Sequence, residues 1–212
     1  MKTIAIGVVL LAAAAACARA QQWEFGGLGG GAFLNTVSVS APAGSATAGF
    51  QAGVVAGGFL GQNISNHIGG EIRYEYFQSN LELKAGGASA TFSGQAHAVH
   101  YDLLFHTHST TSSVQVYAAV GGGMKLFRGT GTEVAQQPLY QYGYFTKTQN
   151  VKPLLDFGGG VKFNITKRLF LRFEVRDFLT GFPTAVLTPP LNVKYGTILQ
   201  DIVPMVGLSY AF

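Results

Sequence analysis

Apolar positions in this chain recur mostly at every second residue, the period of a strand whose two faces meet different surroundings. The clearest run is 68–76, where Ile68, Gly70, Ile72, Tyr74 and Tyr76 alternate with Gly69, Glu71, Arg73 and Glu75. The same period sets Val99, Tyr101, Leu103 and Phe105 against Ala98, His100, Asp102 and Leu104, and Val114, Val116, Ala118 and Val120 against Gln115, Tyr117 and Ala119. Further along, Phe157, Val161 and Phe163 oppose Asp156, Gly158, Gly160 and Lys162, while Leu169, Leu171, Phe173 and Val175 oppose Phe170, Arg172, Glu174 and Arg176. Val206, Leu208, Tyr210 and Phe212 share the last apolar face, against Met205, Gly207, Ser209 and Ala211. With the glycine-rich stretches 23–34 and 50–60, these runs predict about eight strands.

The connections between them alternate in length. Residues 35–49, rich in Ser, Ala, Thr, Pro and Gly, read as a mobile loop; 61–66 is a short turn; 81–87 carries a hairpin connection with its tip at 84–87. Residues 106–113 make the next turn, 127–149 a long polar connection, 164–167 a tight turn, and 177–197 a long connection whose Pro183, Pro189 and Pro190 no central strand tolerates.

Composition says what the apolar face meets. Charged residues are 11% of the chain, against about 25% in water-soluble domains, while aromatics reach 12% and glycines number 29. At the amino end, Lys2, the apolar run 4–16 and Ala18-Arg19-Ala20 form a secretory signal peptide, so the domains are expected to be 1–20, removed, and 21–212. A lipoprotein acylated at Cys17 is the rival, disfavoured because Ala14-Ala15-Ala16 lacks the usual leucine. Cleavage would remove two cations and lower the formal charge from +4 to +2, and no basic cluster argues for nucleic acid. The mature chain would hold no cysteine, which excludes disulfides and thiolate metal sites. Export, low charge and the lack of an apolar run long enough for a spanning helix leave a closed barrel, because only helices and barrels satisfy every backbone group in lipid.

The arrangement Gly207, Tyr210, Phe212 resembles the carboxy-terminal assembly signal of bacterial outer-membrane β-barrels, although that pattern favours a polar residue where Met205 stands. Together with the long and short rhythm of connections, it marks the chain as similar to the small OmpA/OmpX-like family. The resemblance implies a closed antiparallel transmembrane barrel of about eight strands in the bacterial outer membrane, with both termini periplasmic and 35–49, 127–149 and 177–197 presented outward. It further implies a monomer surrounded by outer-membrane lipid and lipopolysaccharide, assembled by the barrel assembly machinery, with a structural or surface-interaction role through its loops. The peptidoglycan-binding domain of some relatives is not expected.

In this geometry the charges point inward. Glu71, Arg73, Glu75, His100, Asp102, Lys125, Asp156, Lys162, Arg172, Glu174 and Arg176 are the interior candidates, and an eight-stranded barrel is about wide enough for side chains to fill. They should pair, making a plugged rod more than a pore. Tyr210 and Phe212 should share one interface with Trp23 and Phe25, and Tyr74, Tyr76 and Phe178 the opposite girdle.

Other chemistry is weaker. His106-Thr107-His108-Ser109 offers a His/Ser pair of the kind used by lipid A acyl hydrolases, but no acidic residue stands beside it to orient the base. His97 and His100, three positions apart, face opposite sides of a strand, so no metal site is expected. Gly27-Leu28-Gly29-Gly30-Gly31-Ala32 loosely matches a dinucleotide fingerprint but precedes Val37-Ser38-Val39, not a helix, so no cofactor is expected. Asn63-Ile64-Ser65 and Asn164-Ile165-Thr166 match the glycosylation sequon and are given no role. A narrow pore, a lipid-modifying enzyme and a soluble lipocalin-like carrier are the alternatives to a loop-presenting barrel. The carrier would need apolar residues inside and charges outside, the reverse of this pattern.

Overall fold

The computed structural model describes residues 23–107 and 112–212. The signal segment, Cys17, His108 and Ser109 lie outside the described residues. Eight long strands form a closed antiparallel barrel: β1 (Trp23–Leu34), β4 (Gly53–Asn63), β5 (Ile68–Gln78), β8 (Gly94–His106), β9 (Val114–Gly129), β11 (Gln149–Asn164), β12 (Leu169–Gly181) and β15 (Ile198–Ala211). A five-stranded sheet stands beyond its mouth, ordered β14 (Lys194–Tyr195), β2 (Val37–Ala41), β3 (Gly44–Phe50), β6 (Leu81–Ala85) and β7 (Ala88–Phe92). A short pair joins β10 (Tyr144–Phe145) to β13 (Leu187–Thr188).

Closure rests on the pairing of β1 with β15, in which Phe25 faces Tyr210 and Leu28 faces Gly207. Trp23 and Phe212 exchange backbone bonds, Trp23 N–H donating to Phe212 O at 3.1 Å and Phe212 N–H to Trp23 O at 2.9 Å. Neither sheet edge is left open, which spares the chain the unpaired row that invites aggregation. Pro204 has no N–H to give to a ladder; the β1 register lapses over it, between Gly30 with Met205 and Phe33 with Ile202, while it faces Val175 on β12.

The outer face is apolar. Ile72, Tyr74, Val99, Tyr101, Val120, Phe157, Phe173, Val175, Val206 and Leu208 are exposed, whereas the charged residues between them are buried inside. Glycine makes the interior possible: a Cβ on Gly26 would lie 2.7 Å from the Phe59 ring, too close for any real atom, so only glycine lets Phe59 enter the lumen there.

Four expectations are corrected. Residues 35–49 are not a loop but most of the β2–β3 hairpin, because Val37, Val39, Ala46, Ala48 and Phe50 bury one face while Ser38, Ser40, Ser45 and Thr47 stay exposed. Phe50 therefore ends β3 instead of starting a barrel strand. Phe178 belongs to no outer girdle: it falls in phase with Arg172 and Arg176, is fully buried, and meets Phe77 edge-on at 5.8 Å. His106 is the last residue of β8, not the start of a turn, and faces inward at 5.7 Å from the Tyr117 ring.

Candidate functional site

The lumen is stacked in layers, since successive inward residues of each strand stand roughly 7 Å apart. At the end with the short turns, Lys162 Nζ donates to Glu24 Oε2 at 2.8 Å. Arg172 lies above, with Nη1 at 2.7 Å from Glu71 Oε1 and 3.2 Å from Glu24 Oε1, and Nη2 at 3.1 Å from Tyr117 Oη. Tyr117 Oη donates to Glu174 Oε2 at 2.6 Å, and the Arg172 guanidinium stacks 4.1 Å from the Phe59 ring centre. Glu174 also binds Arg73, which links this layer to the next.

In that next layer Arg176 bridges Asp156 at 2.7 Å and Asp102 at 3.1 Å, and His100 Nδ1 lies 2.7 Å from Asp102. Glu75 makes only longer ion pairs, to Arg73 at 3.6 Å and to His100 Nε2 at 3.7 Å. Lys125 forms the boundary above: its ammonium binds Asp201 and sits 3.7 Å from the Phe77 ring centre. Among the described residues the buried charges are seven carboxylates (Glu24, Glu71, Glu75, Asp102, Asp156, Glu174, Asp201) and five cations (Arg73, Lys125, Lys162, Arg172, Arg176). Each of these cations has a carboxylate partner, which offsets the several kcal/mol that burying an ion costs.

His100, Asp102 and Asp156 place ligand atoms within 4.8 Å of one another, close enough to hold a metal. The cation there is already supplied: Arg176 reaches both aspartates and Arg73 lies 3.8 Å from Asp102, so a metal would have to displace guanidiniums. The arrangement is an ion-pair network.

Glu24 and Asp201 escaped the sequence reading. Glu24 is the one charge of a glycine-rich strand, between Trp23 and Phe25, and Asp201 falls where Pro204, three residues later, and the mixed stretch 194–200 obscure the strand. Gly207 lies in the wall beside Leu28, and Tyr210 and Phe212 point outward with their rings 5.9 and 6.0 Å from Phe25.

The far end of the lumen is apolar and capped. Phe50 packs on Phe127 at 5.5 Å, Phe92 stacks parallel on Phe145 at 5.5 Å, and Leu81, Leu83, Val186, Leu187 and Leu199 are fully buried between the barrel mouth and the five-stranded sheet. Cavities at the two ends of the lumen, one beside Glu24 and Lys162 and one beside Phe50 and Lys125, measure about 10 Å³ each, no more than one water needs. The β6–β7 turn is a two-residue loop, Gly86-Gly87, with φ of 54° and 82°, values glycine adopts without strain. The outer face of the sheet carries exposed Ser38, Ser40, Ser45, Thr47, Lys84, Ser89 and Thr91. On it, Lys84 Nζ meets Glu82 Oε2 at 2.6 Å while Gln51 Nε2 donates to Glu82 Oε1 at 3.1 Å. The Lys84 hydrogen bond, partly opposed by burial, holds the Glu82 carboxyl below the usual carboxylate range, and burial pushes the Tyr195 phenol up.

A family model described as outer membrane protein beta-barrel domain matches residues 7–212. Among solved structures, Neisserial surface protein A is similar at a TM-score of 0.54 and 13% identity, covering 89% of this chain and 97% of its own. OprG from Pseudomonas aeruginosa is similar at 0.53 and 16% identity, covering 91% and 97%. AlkL, solved in DMPC lipid bilayers, gives 0.51 and 13%, covering 91% and 90%. At these identities the likeness is one of fold. No curated protein sequence matches the chain.

Proposed function

From the premise that this chain belongs to the outer membrane protein β-barrel domain family and resides in the bacterial outer membrane, we propose that it is a non-enzymatic, plugged barrel whose work is done by the sheet it displays outside the cell. The carrying observation is the filled lumen: among the described residues a paired charge network below and an apolar core above occupy the barrel, while the long connections at the same end are built into an ordered sheet. Loops kept only to join strands need no packed core of their own; this module buries Val37, Val39, Leu81, Leu83 and Phe92 to hold a hydroxyl-rich face outward. A surface of serine and threonine hydroxyls with Lys84 suits a polar extracellular ligand such as a glycan.

The outward apolar belt makes outer-membrane lipid and lipopolysaccharide its immediate neighbours. Gly207, Tyr210 and Phe212 would be read by the barrel assembly machinery as the chain closes. The barrel works as a monomer. A lipid A hydrolase is disfavoured because His106 is turned into the lumen at the short-turn end, away from any substrate in the outer leaflet.

The test is binding of whole cells to immobilised glycans when Thr47 and Ser89 are both replaced by arginine. Binding should fall while heat-modifiable gel mobility, the sign of a folded barrel, stays unchanged. Unchanged binding to every surface that the parent protein engages would remove the role given to this face.

A further inference from the structure

A second feature lies on the flank of the barrel. On the outer face the residues in register form rows: Tyr74, Val99, Met124 and Pro153, then Tyr76, His97, Leu126 and Val151, then Gln78, Gln95, Arg128 and Gln149. The composition changes within one step. Met124 and Leu155 are among the most exposed apolar side chains of the wall, whereas the row of Arg128 is wholly polar. Each step is roughly 7 Å, so Arg128 stands just where an apolar belt gives way to a lipid headgroup layer.

Above Arg128 opens a cleft of about 610 Å³ lined by Gln95, Arg128, Thr130, Lys147, Thr148 and Gln149. Its backbone is fixed: Gly129 N–H donates to Thr148 O at 2.9 Å, Thr146 N–H to Val186 O at 2.9 Å, and Thr130 N–H to Ser93 O at 2.8 Å. Arg128 and Lys147 are both exposed, and neither forms an ion pair with a described residue, in contrast to the cations of the lumen. Among the described residues no acid lines the cleft, and Glu133 accepts from the Lys147 backbone N–H.

We propose that this cleft binds the phosphate of a phosphorylated glycolipid of the outer leaflet. A planar guanidinium and an ammonium facing one space match phosphate oxygens, Arg supplying a two-pronged donor and Lys a point charge. The flanking amides and hydroxyls suit the sugar that carries the phosphate. A lipid is favoured over free phosphate because the wall below the cleft, through Val99, Met124 and Leu155, is an exposed apolar track for acyl chains, and because the space far exceeds one phosphate ion.

The inference rests on the loops facing outward only for the choice of leaflet; affinity is measurable without it. Refolded protein in detergent would be titrated with bisphosphorylated lipid A and with its dephosphorylated form, using native mass spectrometry. The paired substitution Arg128→Ala with Lys147→Ala should weaken binding of the phosphorylated form by roughly tenfold or more, and loss of phosphate should do the same to the parent protein. Lys167→Ala, in the exposed short turn at the other end of the barrel, should leave lipid A binding unchanged, and heat-modifiable mobility should show both variants folded. Equal binding by parent and paired variant overturns the proposal, as does displacement of lipid A by millimolar inorganic phosphate. Protease cleavage of the sheet on intact cells tests orientation separately, so failure there relocates the leaflet while failure of the titration removes the site.

Discussion

At the scale of single residues, Arg172 is the strongest point of the lumen. It bonds Glu71, Glu24 and Tyr117 and stacks on Phe59, so removing its charge would leave buried Glu71 with only Lys162 at 3.9 Å and Glu24 with Lys162 alone. Arg172→Ala is expected to cost about 3–5 kcal/mol of unfolding free energy, read from urea unfolding in detergent micelles. Lys84→Ala, an exposed pair on the sheet, should cost no more than about 1 kcal/mol. Equal losses would mean that the network carries no stability. The inward charges on β5, β8 and β12 are legible in the sequence because a strict alternation surrounds them. Phe178, an aromatic near a strand end, has the composition of a girdle residue, and only its phase with Arg176 tells otherwise.

At the scale of elements, the pairing of β1 with β15 and the sheet beyond the mouth behave differently. Phe212 shares two backbone bonds with Trp23 and lays its ring against Phe25. Deleting it should lower the yield of heat-modifiable barrel on insertion in cells, whereas undiminished insertion would show that closure does not depend on it. The sheet has its own electrostatic signature. The folded Glu82 carboxyl lies below its ordinary value of 4.5, so its ion pair stabilises the sheet above that pH and the contribution is lost as pH falls through the lower, folded value. An NMR titration of Glu82 should give a midpoint below 4.5 that moves upward in Lys84→Ala; an unmoved midpoint would assign the shift elsewhere. The strands β2 and β3 were hidden in the sequence because alternating Ala, Ser and Thr resemble a flexible loop in composition, and their apolar side chains are too small to announce a buried face.

At the scale of the whole molecule, the chain turns a soluble protein inside out: apolar outside, ionic within, and apolar again under the cap. The first two layers follow from period-two patterning and low charge, and were readable. The cap was not, because its core joins residues far apart in the sequence, Phe50, Phe92, Phe145 and Leu187, that share no local pattern. The proposed display role rests on that cap, since a charge network alone could open by rearranging its pairs. The most direct measurement is the conductance of the refolded protein in a planar bilayer. A sealed lumen predicts no steady current beyond brief, irregular events; a stable, reproducible open level carried by the parent protein would contradict it.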